Sequence, residues 1–360
     1  MSHPEPTEDV LSSVLNPRTL TRPLGLAAAL RTVDDDFRVE EIPAYEPSGE
    51  GEHCFLWIEK RGVNTAEVSS FLARRLGVRD PDIGTAGLKD RHAVTRQYFS
   101  VPARAWNSAG EQLQDIDLDL GESQSIRILR ASAHTNKLRT GHLRGNRFTI
   151  LCRLMSGPLS DSDVDRIQMQ TAEVSRLGCA NSFGSQRFGQ SGSTLKDGLS
   201  ILNIGNAPLN GRFRNRGFRK LALNAVQAAV FNLVVNERIL EGCLQSPIDG
   251  DVVIREGGTK PFLWNGSQSP DGLVPAGPLP GAEMLKAEGQ AAEVEQRALA
   301  DVGATEQLFR HWKKDIPGDR RPLWIRPVEM SCSFPGPDRV EFSFSLPAGA
   351  YATTVLSHIL

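Results

Sequence analysis

Near the end of this 360-residue chain, Phe342, Phe344 and Leu346 alternate with Ser343 and Ser345. A period of two marks a strand with one buried face. Similar patterns occupy the first half of the chain. In "VDDDFRVEEI", Phe37, Val39 and Glu41 alternate with Arg38 and Glu40, and "HCFLWIEK" and "QYFSV" follow as more apolar strands. Ser125–Ala133 and Arg147–Leu154 read the same way. Asn64 and Thr65 cap a helix over Ala66–Leu76 that Gly77 ends, and a second helix runs over Ser160–Leu177. Between the two strand regions, from about residue 206 to 327, the character changes. A long helix over Arg219–Glu241 precedes short strands and a proline- and glycine-rich stretch, Ser267–Gly281, expected as a surface loop. The economical layout is an α+β fold with a largely antiparallel sheet built from both ends of the chain. A flexible tail covers 1–21, the sheet domain 22–205 and 328–360, and an inserted domain 206–327.

The composition narrows the function classes. Hydrophobic content of 39% and charged content of 23% are globular values. No segment approaches the roughly 18–20 apolar residues expected of a membrane span, and Met1–Leu15 lacks the apolar core of a secretion signal. The five cysteines include no CxxC pair and the seven histidines no HxxxH or HxH spacing, so no metal site is expected and the reducing cytoplasm is the expected compartment. GxGxxG and GxxxxGK[ST] are both missing, which argues against a nucleotide cofactor.

The net charge of −2 conceals two basic tracts. Between Ile126 and Phe148 lie Arg127, Arg130, Lys137, Arg139, Arg144 and Arg147, with two histidines and no acid. Half of "GRFRNRGFRK" (Gly211–Lys220) is cationic, Arg214 and Arg216 included, and two phenylalanines interleave. Such tracts neutralise phosphates while aromatics stack on bases; alone, each reads equally as a solvated face. The stretch "NSFGSQRFGQSGST" (Asn181–Thr194) suits a loop that approaches a ligand closely, or a plain hairpin with its phenylalanines buried. In "AGLKDRHAVTRQYFS" (Ala86–Ser100), Asp90 reads first as a turn residue. Its neighbours Lys89, Arg91 and His92 and its place before a strand also suit an anionic nucleophile needing no cofactor.

Taken together, "AGLKDRHAVTRQ", "NSFGSQRFG", the early "DFRVEE…GEGEH" and the late "LPAGAYATT" resemble the TruD family of tRNA pseudouridine synthases, in that family's chain order and over about residues 22–360. The resemblance implies a pseudouridine-synthase catalytic core with a largely antiparallel mixed sheet and an inserted α/β TRUD domain. It implies isomerisation of a tRNA uridine, at position 13 in bacterial members, without metal or cofactor. It makes Asp90 the catalytic residue, with Lys89 and Arg31 beside it in the catalytic set; the family often has lysine at the position of Arg31. Phe37, Asn181 and Phe183 become substrate contacts, Phe183 stacking on an extruded uracil. Ser182 stands where the family commonly has tyrosine. Arg187 in the same segment, and Arg139, Arg144, Arg214 and Arg216 in the tracts, are expected RNA contacts, with tRNA as the partner. The residues leave open whether Asp90 attacks the base, attacks the sugar or removes a sugar proton. Two other functions fit the same scaffold: a non-catalytic tRNA binder or folding chaperone, and a pseudouridine synthase acting at another RNA site.

Overall fold

The computed structural model describes residues 6–109, 118–121, 124–205 and 207–360. The chain divides into two compact units, each with its own core. One comprises Pro23–Arg176, Pro327–Ala352 and Ile359–Leu360. Its ten described strands form one mixed sheet. The order along the main path is Val328–Gly336, Arg339–Pro347, Leu143–Leu154, Phe37–Pro43, Val94–Pro102, His53–Arg61, Gln124–His134 and Leu118–Gly121. Every described pairing is antiparallel except that of Phe37–Pro43 with Val94–Pro102. The strand expected from Phe342, Phe344 and Leu346 is flanked on both sides, next to the edge strand Val328–Gly336. It zips onto Leu143–Leu154 from Arg339 opposite Arg153 to Pro347 opposite Gly145. Phe344 stands beside Phe148 with ring centroids 5.8 Å apart.

The helix Thr65–Leu76 starts at a reciprocal cap: Asn64 Oδ1 accepts the Glu67 N–H at 2.9 Å and Glu67 Oε2 accepts the Asn64 N–H at 2.7 Å. Gly77 ends it with φ of 64°. Val68, Leu72 and Leu76 then pack against Leu56, Ile58 and Phe99 of the sheet. This helix and its cap fix the loop on which Asp90 sits.

The second unit holds the N-terminal segment to Arg22, Leu177–Arg326 and Thr353–His358. Its centre is the helix Arg216–Leu240. This helix contains an 18-residue window of mean hydropathy 1.2, long and apolar enough to cross a membrane, contrary to the expectation from the sequence. Of that window 67% is buried, and its Ala222, Val226, Val230 and Phe231 belong to the unit's hydrophobic core. Core packing accounts for its apolar length. The helix Ser193–Ile204 crosses it at Gly198, where an added Cβ would meet the carbonyl oxygen of Ala222 at 2.2 Å. Only glycine permits that approach. This packing groups 177–205 with the residues that follow, whereas the sequence reading placed them with the sheet.

Two further expectations change. Within the segment read as a flexible tail, of which residues 1–5 lie outside the described residues, Glu8–Leu15 is a helix with Val14 fully buried. Asn232 Nδ2 donates to the Val14 carbonyl at 3.0 Å and Asn236 Nδ2 to that of Ser13 at 2.9 Å. The stretch read as a surface loop contains the strand Leu273–Leu279, paired with both Val252–Arg255 and Asp319–Pro322. Its Pro275 and Pro278 are buried, so packing outweighs the turn-like composition.

Candidate active site

Asp90 lies between the short strand Gly84–Thr85 and Val94–Pro102, on a loop tied down residue by residue. Gln97 Nε2 donates to the Gly87 carbonyl at 3.0 Å. Thr65 Oγ1 accepts the Lys89 N–H at 2.9 Å, and Arg91 Nε donates to the Gly62 carbonyl at 3.1 Å. The Lys89 ammonium is buried and pairs with Glu41 Oε2 at 2.8 Å. Lys60 is fully buried, and its Nζ donates to the carbonyls of Asp90 at 2.6 Å and Val63 at 2.7 Å. Burial pushes Lys60 down to about 8, with the nearby Asp90 charge opposing that shift.

The Asp90 side chain is 54% exposed, and Arg31 Nη2 meets Asp90 Oδ2 at 2.7 Å. No backbone N–H among the described residues bonds to this carboxylate, so it neither caps a helix nor closes an Asx turn. Arg31 has φ of 61°, a left-handed conformation that costs a non-glycine residue roughly 1–2 kcal/mol. Its guanidinium carbon lies 3.9 Å from the centroid of the Phe37 ring. Phe37 is 2% exposed and packs edge-on to Phe148, so it supports Arg31 and offers no free face to a base. Lys89, expected in the catalytic set, likewise anchors the loop from within. The sequence reading overlooked Lys60 and the partner role of Glu41. Both had a signal: Lys60 is in phase with inward-facing Leu56 and Ile58, and Glu41 with Phe37 and Val39.

Asn181, Phe183 and Arg187 belong to the other unit. Asn181 Oδ1 accepts from Arg321 Nη2 at 2.6 Å, and its Nδ2 donates to the Pro322 carbonyl at 2.9 Å. Phe183 is 4% exposed, its backbone held at both ends by the Asn232 side chain. Its ring meets Phe231 edge-on at 5.5 Å and has the guanidinium carbons of Arg321 at 4.4 Å and Arg187 at 5.3 Å. The ring is a support for cations in this arrangement. Arg321 is a second residue the sequence reading overlooked.

The family model described as tRNA pseudouridine synthase D (TruD) matches residues 18–203 and 215–359. The chain belongs to the tRNA pseudouridine synthase D family. It is 36% identical over 344 residues to the tRNA pseudouridine synthase D of Anaeromyxobacter sp. (strain Fw109-5), covering 93% of each chain. It is 35% identical to a tRNA pseudouridine synthase D of Thermus thermophilus, covering 93% of this chain and 89% of the relative. A crystal structure of the putative tRNA pseudouridine synthase D from Methanosarcina mazei superposes with a TM-score of 0.72 at 22% identity, over 99% of this chain and 98% of that one. That likeness shows the fold, an α+β architecture with a mixed, mostly antiparallel sheet.

In this tRNA pseudouridine synthase D family member each basic tract pairs part of its charge with acids. In the first, Arg147 pairs with Glu329 at 2.8 Å and Arg130 with Glu46 at 3.5 Å. Arg139 and Arg144 are exposed and have no acidic partner among the described residues. In the second tract, Asp315 holds both Arg216 at 3.0 Å and Arg219 at 2.6 Å, and Asp197 holds Arg212. Burial pushes the Asp315 carboxyl up, but the hydrogen bonds from Arg219 and Arg216 outweigh it and leave it below the usual range. Arg216 therefore shares a single carboxylate with Arg219, whereas Arg214 bonds only the Leu209 carbonyl among the described residues, at 2.9 Å. Among the described residues no three His, Cys, Asp or Glu side chains gather as a metal-binding group.

Proposed function

We propose that the chain isomerises a uridine of tRNA to pseudouridine, at position 13, with Asp90 as the catalytic residue. One observation supports this most strongly. An exposed carboxylate is bonded to a single cation and carried on a loop whose flanking backbone is held by buried polar side chains. Asp36 and Asp82 bond backbone N–H groups three residues away; Asp90 is presented outward and oriented from a distance. Arg31 fixes the direction of the carboxylate, and Phe37 fixes Arg31. Preorganisation of this kind lowers the cost of aligning a reacting group.

In this reading Asp90 acts as nucleophile or base on the uridine, the uracil leaves C1′ through nitrogen and reattaches through carbon, and the atoms balance without redox change. Arg139, Arg144 and Arg214 contact RNA phosphates, being tract cations without acidic partners among the described residues. Arg187 and Arg321, both carried on Phe183 and the latter ordered through Asn181, contribute cations to substrate binding. The experiment is Asp90→Asn assayed on transcribed tRNA. Pseudouridine formation is expected to vanish while tRNA binding persists. Conversion at the wild-type rate would remove Asp90 from the chemistry, and conversion at another uridine would remove position 13.

A further inference from the structure

The sheet-containing unit also carries an open cavity of about 510 Å³, lined by Tyr45, Glu46, His134, Lys137, Arg139 and His142 among others. Its floor is a fixed aromatic group. The rings of Tyr45 and His134 are stacked at 5.1 Å, and His142 meets Tyr45 edge-on at 5.6 Å. The Ser48 N–H donates to His134 Nδ1 at 3.1 Å. Tyr45 Oη and His142 Nδ1 are 2.6 Å apart. With the tyrosine hydroxyl donating, the imidazole carries its proton on Nε2 and remains a donor there.

The charge lining this cavity is unbalanced. Glu46, its one acid, is already held by Arg130. Among the described residues, Lys137 bonds only the Pro81 carbonyl and Arg139 bonds no acid. Two cations and the His142 ring around an aromatic floor match a phosphodiester with its nucleoside. The volume lies in the range of small-ligand sites and far exceeds what a bare phosphate fills.

The cavity is coupled to the Asp90 loop through the backbone. The turn that carries Arg139 and His142 closes with the His142 N–H on the Arg139 carbonyl at 3.0 Å. Its Gly141 N–H donates to the Ala86 carbonyl at 2.8 Å. Ala86 precedes Asp90 by four residues, a Cα separation of at most about 14 Å even if fully extended. A ligand in the cavity therefore lies a few nucleotides from whatever Asp90 touches.

We propose that this cavity holds a phosphodiester and the adjoining nucleoside of the same RNA strand whose uridine is presented to Asp90. The proposal rests on the tRNA reading above and adds a site to it. Lys137 and Arg139 take the phosphate, His142 Nε2 adds a third donor, and the Tyr45–His142 pair faces the nucleoside.

The test uses the full chain and transcribed tRNA, with binding read separately from turnover. Arg139→Ala and Lys137→Ala are each expected to weaken tRNA binding about three- to tenfold. Each lost phosphate contact reduces the slope of log K against log salt by about 0.7–0.9. The loss in turnover falls on KM more than on kcat. Single methylphosphonate linkages are then placed along the strand within a few nucleotides of the modified uridine. One linkage is expected to weaken wild-type binding and to cost clearly less in Arg139→Ala, where only Lys137 and His142 still meet the phosphate. Wild-type affinity and salt slope in both variants, or additive effects at every linkage, overturn the cavity assignment. Wild-type protein that binds tRNA with this interference pattern but forms no pseudouridine overturns the catalytic reading and leaves the cavity assignment standing.

Discussion

Replacing Lys60 by methionine separates the stability of the Asp90 loop from its function. The buried ammonium has a pKa of about 8 against the ordinary 10.5, so holding its charge inside the fold costs about 3 kcal/mol at about 1.4 kcal/mol per factor of ten. Lys60→Met removes that cost. It also leaves the carbonyls of Val63 and Asp90 without their donor, at about 1–3 kcal/mol each. The two effects oppose, and unfolding free energy near pH 7 is expected to stay within about 3 kcal/mol of wild type. Turnover has no such compensation, because the tether on the Asp90 backbone is gone. A displacement of about 1 Å at a reacting group costs about a hundredfold. The pH dependence has a definite sign. Below about 8 both folded and unfolded chains hold the Lys60 proton; between about 8 and 10.5 only the unfolded chain does. Stability from this residue therefore rises with pH across that window, by up to about 3 kcal/mol, and the rise disappears in Lys60→Met. Urea unfolding at pH 7 and pH 10 and single-turnover pseudouridine formation measure the two effects. A variant that unfolds like wild type at both pH values, or converts uridine at the wild-type rate, refutes the reasoning.

Other substitutions probe the remaining supports. Arg31→Ala is expected to lower kcat by about 10²–10³, the scale of losing one oriented electrostatic partner, whereas Arg31→Lys, which keeps a cation beside Asp90, stays within about tenfold; equal rates in the two variants would contradict the role given to the charge. Glu41→Gln strands the Lys89 ammonium in the interior and is expected to cost about 3–5 kcal/mol in urea unfolding, with Lys89→Met added to it restoring part of the loss. His358 is pushed by burial down to about 4, so the unfolded chain takes a proton that the folded chain refuses between pH 6.5 and about 4. Stability from this residue is present above pH 6.5 and lost as pH falls through that window, by up to about 3 kcal/mol, and His358→Gln should flatten that part of a urea-midpoint-against-pH profile.

What could be read from the sequence was whatever the chain encodes locally. Period-two patterns located the main strands, Asn64 and Gly77 bounded a helix, and Phe342, Phe344 and Leu346 announced a strand that the sheet takes from the far end of the chain. Long-range pairing was not legible. The tract around Arg216 looked free because Asp315, the carboxylate it shares with Arg219, lies 99 residues away in sequence. Phe37 and Phe183 looked like stacking platforms because their guanidinium partners are set by backbone geometry, including the positive φ of Arg31, which no composition rule anticipates. Buried ionic groups were legible as an anomaly only. Lys60 and Glu41 fall on inward phases where apolar residues belong, and an inward charge demands a partner without naming it.

The same contrast decides how Asp90 should be regarded. Aspartates that serve the backbone are visible in this fold: Asp36 Oδ2 accepts the Val33 N–H at 3.1 Å and Asp82 Oδ2 the Arg79 N–H at 3.2 Å, each three residues back. The Asp90 carboxylate makes no such backbone bond among the described residues. Its carboxylate reaches instead to Arg31, 59 residues away, while Gln97, Thr65, Lys60 and Arg91 secure the backbone on either side. Local stability would be served as well by turning the carboxylate inward to a backbone N–H. A loop held by buried Gln97, Thr65 and Lys60 and by Arg91, that then directs its carboxylate outward, is arranged for something outside the protein. The left-handed backbone of Arg31 points the same way, since strain of roughly 1–2 kcal/mol at the one cation bonded to the Asp90 carboxylate among the described residues persists only where the surroundings over-determine it.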